Sequence, residues 1–152
     1  MLVHRVGKTK YARDLTGEGA RLFGGRWNNK MIGCLYTSEN RALAVLEYTV
    51  NVNIDDIPRS LSITTLEIPD RKIKLLNEED LPGDWRKSPA PSTTKDFVSH
   101  LLLTAAELVI RVPSVVIPSE FNYLLNPLHA DNKKIKLIDV VDFIFDVRIK
   151  TV

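Results

Sequence analysis

The chain has 152 residues with 26% charged and 44% apolar side chains, a balance that excludes a disordered or fibrous class and leaves room for one well-filled core, so a single domain over 1–152 is expected. A formal net charge of +2 is too mild for a nucleic-acid footprint, and the lone Cys34 excludes an internal disulfide and fits a reducing cytoplasm. His4, His100 and His129 show no metal-ligand spacing, no apolar run could span a bilayer and the N-terminus does not read as a signal peptide, so neither a metal nor a membrane is expected.

Leu2 to Val6 alternates as a short strand, with Arg5 on the face opposite His4. Five of the seven glycines then fall between Gly17 and Gly33, marking turns or a loop that holds a ligand against main-chain N–H groups. The pattern is neither a phosphate loop nor a dinucleotide fingerprint. Arg26 follows these glycines; its planar fork suits a carboxylate or pyrophosphate, and equally a structural ion pair.

Cys34 to Tyr36 reads as a strand, and Thr37 or Ser38 as the cap of a helix over Glu39 to Val50. Ala42, Leu43, Val45, Leu46 and Val50 give that helix a wide apolar face. Glu47 interrupts it: a carboxylate beside an apolar stripe is costly unless paired, so it either meets an arginine or faces a cleft. Tyr36, at the end of the preceding strand, is a core residue or a ring that stacks on a ligand.

Ser60 to Ile68 is a β-branched strand ended by Pro69, and Leu81 to Pro91 a proline-rich surface loop anchored by Trp85. Thr93 or Thr94 caps a second helix reaching about Glu107. Short strands follow at Leu108–Arg111, Ser114–Ile117 and Tyr123–Leu125, with Ser114, Asn122 and Asn126 as turn residues or cleft-facing groups, and the C-terminal KIKLIDVVDFIFDVRIK reads as a strand pair. The pattern predicts an α+β fold with a mixed, largely antiparallel sheet and two main helices.

The blocks GEGARLFGGRWNNK, CLYTSE, ALAVLEY, VPSVVIPSEFNYLLNP and FDVR resemble the RES domain family across nearly the whole chain. The arginine, glutamate and serine that give that family its name match Arg26, Glu47 and Ser114. The resemblance implies a compact fold like that of ADP-ribosyltransferase toxins and a toxin that breaks the nicotinamide–ribose bond of NAD. NAD would be substrate, with no separate cofactor, and water or phosphate would accept the ADP-ribose. It also implies a helix-turn-helix antitoxin of the Xre type and a homodimer within the toxin–antitoxin complex.

Within that frame Glu47 stabilises charge at the anomeric carbon and Arg26 clamps the pyrophosphate. Tyr36 stacks on nicotinamide or ribose, Ser114 and Asn122 donate hydrogen bonds near the nicotinamide or phosphate end, and Arg5 assists at phosphate. A protein acceptor, or a cleft that binds a nucleotide without turnover, stays open on the same residues. The chain departs from the family pattern at Met31, where a glycine is expected, and at Ala130, where a proline is expected after His129.

Overall fold

The computed structural model describes residues 1–150. β1 (Leu2–Lys8) begins the chain; α1 (Glu18–Phe23), β2 (Leu35–Ser38), α2 (Arg41–Asn51), β3 (Leu61–Glu67) and β4 (Ile73–Leu75) follow. α3 (Ser92–Leu103), β5 (Val109–Pro113), β6 (Phe121–Leu125) and β7 (Lys136–Phe143) complete the order. The strands form one sheet, β4-β5-β6-β2-β1-β3-β7, in which only β4 and β5 run parallel. This is the expected α+β class with a mixed, largely antiparallel sheet.

Because side chains alternate across a strand, adjacent residues enter different cores. Ile110, Val112 and Leu124 meet Trp27, Cys34, Trp85, Val98 and Leu102 on the face that α3 covers, whereas Val109, Tyr123 and Leu125 pack with Val3, Leu35 and Leu66 on the other. Leu102 has no exposed surface, and burying a leucine of this kind contributes about 2 kcal/mol. Burial also pushes the Cys34 thiol far above its usual range, so it packs as a small apolar group. β3 is central, between β1 and β7, and all its residues but Glu67 are buried, so its sequence is a near-continuous run rather than an alternating one.

The boundaries differ from the sequence reading where side chains compete for backbone groups. α2 starts at Arg41 because Asn40 is its cap, its Oδ1 accepting from Leu43 N at 2.8 Å. Thr37 and Ser38 remain in β2, where Thr37 Oγ1 donates to Tyr123 O at 2.7 Å and Ser38 pairs with Asn122. α3 ends at Leu103, not near Glu107: Asn126 Nδ2 takes the Leu102 carbonyl at 2.8 Å, and Ala105 turns to φ 50°.

Ser114–Ile117 is a turn and not a strand, since Ser114 Oγ accepts from both Val116 N and Ile117 N, at 3.0 and 3.1 Å. The expected C-terminal strand pair is one strand, β7, followed by a short helical turn over Val147–Ile149. The glycine-rich stretch holds a helix, α1, that the sequence did not suggest. Gly17 precedes it at φ 71°, where a Cβ would lie 2.7 Å from Cys34 N, so glycine is required there for both conformation and space. Among the described residues no helix is long and apolar enough to cross a membrane.

Candidate active site

α2 lies across β1 and β2, and its Glu47 points into a cleft of about 940 Å³. That volume is within the range of small-molecule sites. The rest of the wall comes from Gly24 to Trp27, from Tyr36 and Ser38 on β2, from Asn122 on β6 and from Ser88 to Ala90. The cleft forms here because the register places Ser38 opposite both His4 and Asn122, so polar side chains of three adjacent strands share one face beneath α2.

Glu47 has no arginine partner in a salt bridge among the described residues; its partners are neutral. Ser114 Oγ donates to Glu47 Oε1 at 2.8 Å and Asn122 Nδ2 donates to the same oxygen at 2.5 Å. Asn122 is itself oriented by Ser38, whose hydroxyl donates to Asn122 Oδ1 at 2.6 Å. Both donors to the carboxylate therefore sit on Oε1, and nothing among the described residues donates to Oε2. The carboxylate is fixed in direction without its charge being neutralised, which an arginine partner would have done.

Tyr36 lines the cleft from β2, its hydroxyl donating to Asn28 Oδ1 at 2.7 Å and accepting from Trp27 N at 3.0 Å. Burial raises its pKa well above the usual 10, so the hydroxyl stays protonated and its hydrogen-bonding capacity is taken up by the loop. The exposed part of the ring remains for stacking. Asn28 is the fully buried centre of that loop: its Nδ2 donates to Ala20 O, Ile32 O and Asn29 O at 2.8, 2.9 and 3.1 Å. An asparagine inside a glycine-rich segment is the one sequence signal for this role.

Arg26 Nη1 donates to the carbonyls of Trp85 and Lys87 at 2.8 and 2.9 Å. Burial lowers the guanidinium's pKa, opposed by the Glu47 carboxylate and then by Tyr36. Nε and Nη2 have no partner among the described residues, so the bidentate edge of Arg26 is unused. Arg5 Nη1 donates to Asp14 O at 2.9 Å, and Arg5 also borders the cleft. The structure thus brings Arg5, Arg26, Tyr36, Glu47 and Asn122 to one cleft, with Ser114 joined to it through Glu47. His4, Tyr48 and Asn51 also line the cleft, and strand or helix periodicity alone did not mark them. Among the described residues no cluster of three His, Cys, Asp or Glu side chains could hold a metal ion.

A family model described as RES domain matches residues 2–146. The Toxin Res of Yersinia enterocolitica serotype O:8 is 36% identical over 152 residues, covering 99% of this chain and 100% of the relative. The Prs ADP-ribosylating toxin of Sphingobium sp. is 35% identical over 144 residues, 93% of this chain and 89% of the relative. Among solved structures, a chain of the M. tuberculosis MbcT–MbcA toxin–antitoxin complex aligns with a TM-score of 0.77, covering 94% of this chain and 84% of that one. At 18% identity the likeness is one of fold.

Proposed function

The chain belongs to the RES domain family, and from that premise we propose that it is the toxin of a toxin–antitoxin pair and cleaves the nicotinamide–ribose bond of NAD. The observation that carries this reading is the Glu47 carboxylate, held through Oε1 by two neutral donors with Oε2 left for substrate. As the C–N bond breaks, its electron pair leaves with neutral nicotinamide and positive charge builds on the ribose carbon and ring oxygen. A carboxylate beside that carbon favours the shift of charge from the nicotinamide ring onto the ribose, and it is this difference between ground and transition state that speeds the reaction. An arginine-paired carboxylate would favour it far less.

Ser114 and Asn122 act in this scheme by aiming Glu47, not as direct contacts to nicotinamide. The free Nε–Nη2 edge of Arg26 takes the diphosphate, and the Tyr36 ring packs on nicotinamide or ribose. Water or phosphate then attacks the ribose carbon and releases ADP-ribose or ADP-ribose 1″-phosphate. Purified chain should release nicotinamide from NAD, and Glu47→Gln, which keeps shape and loses charge, should abolish it. A folded wild-type protein that releases none would sink the reading. Incubation with and without phosphate distinguishes the two acceptors.

A second reading, transfer of ADP-ribose to a protein side chain, is supported by the description of the Sphingobium relative as an ADP-ribosylating toxin. Labelled NAD added to cell extract separates the two: label on protein favours transfer, label on small molecules favours hydrolysis or phosphorolysis. The toxin–antitoxin complex in which the structural neighbour was solved supports an antitoxin partner here, for which an Xre-type helix-turn-helix protein is our assignment, together with a homodimer. The cytoplasm, where NAD is made and used, is our assignment for its site of action. Co-purification with a neighbouring gene product and the mass of the complex test these.

A further inference from the structure

Arg26 and Trp27 together fasten the Leu81–Pro91 loop to the glycine-rich loop. Arg26 Nη1 holds the carbonyls of Trp85 and Lys87, and the Trp27 and Trp85 rings stack with centroids 5.8 Å apart at 28°. Trp85 is only 4% exposed, so its end of the loop is anchored by burial. The next three residues, Ser88 to Ala90, line the cleft, and Ser88 and Pro89 are exposed. At Lys87 their place in the wall is held from within the loop by Lys87 N, which donates to Asp84 O at 2.9 Å, and from outside it by Arg26.

We infer that Arg26 couples this wall to the ligand: one planar cation holds the wall through Nη1 and a diphosphate through its Nε–Nη2 edge, so wall order and anion binding strengthen each other. The choice of a diphosphate rests on the reading above. The physical reason is that a guanidinium delocalises its charge over three nitrogens in a rigid plane. A ligand that immobilises one edge removes the torsional freedom that would let the other edge leave its carbonyls, and an ordered wall in turn fixes the edge that meets the ligand. By linkage the effect is reciprocal. Arg26 is then a positioning residue for residues 87–90 as well as a ligand contact. A lysine, with a point charge and no second edge, cannot serve both ends.

Limited trypsin digestion of the full chain reads the wall directly, because Lys87 is exposed and the Lys87–Ser88 bond lies at its start. Cleavage after Lys133, in the turn before β7, gives an internal reference. Arg26→Met, which removes the donors, should cut at Lys87–Ser88 about tenfold faster relative to Lys133, as loss of charge-assisted bonds to two carbonyls implies. Saturating ADP-ribose should slow that cut severalfold in the wild type and leave it unchanged in Arg26→Met. Arg26→Gln, checked for folding by circular dichroism, should behave as Arg26→Met does.

Equal cutting in wild type and both variants would overturn the inference, as would faster cutting on adding ADP-ribose or equal protection in all three. If ADP-ribose protects only the wild type and yet no nicotinamide is released from NAD, the coupling stands and the proposed reaction fails. Normal nicotinamide release with unchanged Lys87–Ser88 cleavage is the converse.

Discussion

Asn122 Nδ2 stands 2.5 Å from Glu47 Oε1, on a strand that the sequence separates from the helix by 75 residues. Removing this amide by Asn122→Ala leaves Ser114 as the one side-chain donor to the carboxylate. Loss of a hydrogen bond to a charged group weakens it by about 1.5–3 kcal/mol, so nicotinamide release should fall roughly 10- to 100-fold. Because the amide aims Glu47 and does not itself hold the diphosphate, the loss should appear in kcat more than in KM. A drop confined to KM would assign Asn122 to substrate binding instead. Asn122→Asp should be worse than Asn122→Ala, since two carboxylates at that separation cannot both stay ionised.

Gly25 packs directly beneath the Tyr36 hydroxyl. A Cβ at Gly25 would meet Tyr36 Oη at 2.5 Å and Cζ at 2.8 Å, with Asn28 Oδ1 at 3.1 Å, so the need for glycine is purely one of space. Gly25→Ala should displace the ring, break its bonds to Trp27 and Asn28 and destabilise the protein by about 1–3 kcal/mol in urea unfolding. Tyr36→Phe added to Gly25→Ala removes the closest of these contacts. The double variant should therefore lose less than the sum of the singles, a coupling that a thermodynamic cycle measures.

These two sites show what the sequence made legible. Glu47 stands out because a carboxylate on an apolar helix face must have a reason, and its residue pattern leaves an arginine partner and a cleft as the two choices. That Ser114 and Asn122 converge on one of its oxygens could not be read, because strand register over 67 and 75 residues decides it. The α2 cap was misplaced because Thr37, Ser38 and Asn40 are all good caps, and β2–β6 pairing, a tertiary contact, selects among them. β4 and α1 went unread since three and six residues carry too little periodicity to register. Arg26 was legible as a special residue, but its hold on the Trp85 and Lys87 carbonyls depends on how a proline-rich loop folds back, which no local pattern encodes.

His4 gives the protein a defined acid weakness. Burial lowers its pKa below 6.5, with the nearby Arg41 charge adding to the effect, while Nδ1 sits 3.0 Å from Thr65 Oγ1. The native state thus binds fewer protons than the unfolded chain between the lowered value and 6.5. The stability His4 contributes is complete above that window and is lost as pH falls through it. Urea midpoints measured at roughly pH 7.5 and pH 5 should differ less in His4→Gln than in the wild type. An equal difference in both would show that other groups carry the acid response.

Met31, where the resemblance leads to an expectation of glycine, has φ 73°, in the left-handed region that a side chain with a Cβ resists. The side chain gains little in return, being 72% exposed, with a long Arg21 Nη1 contact to its sulfur at 3.5 Å. The conformation is imposed by its surroundings, since Met31 N donates to Arg21 O at 2.7 Å and so closes the loop against α1. Met31→Gly should keep that bond and relieve strain of about 1–2 kcal/mol, partly offset by the greater freedom of glycine in the unfolded chain, for a net gain near 1 kcal/mol. Met31→Ala retains the Cβ and should gain nothing. A Met31→Gly midpoint no higher than that of Met31→Ala would mean that the exposed thioether itself stabilises the loop.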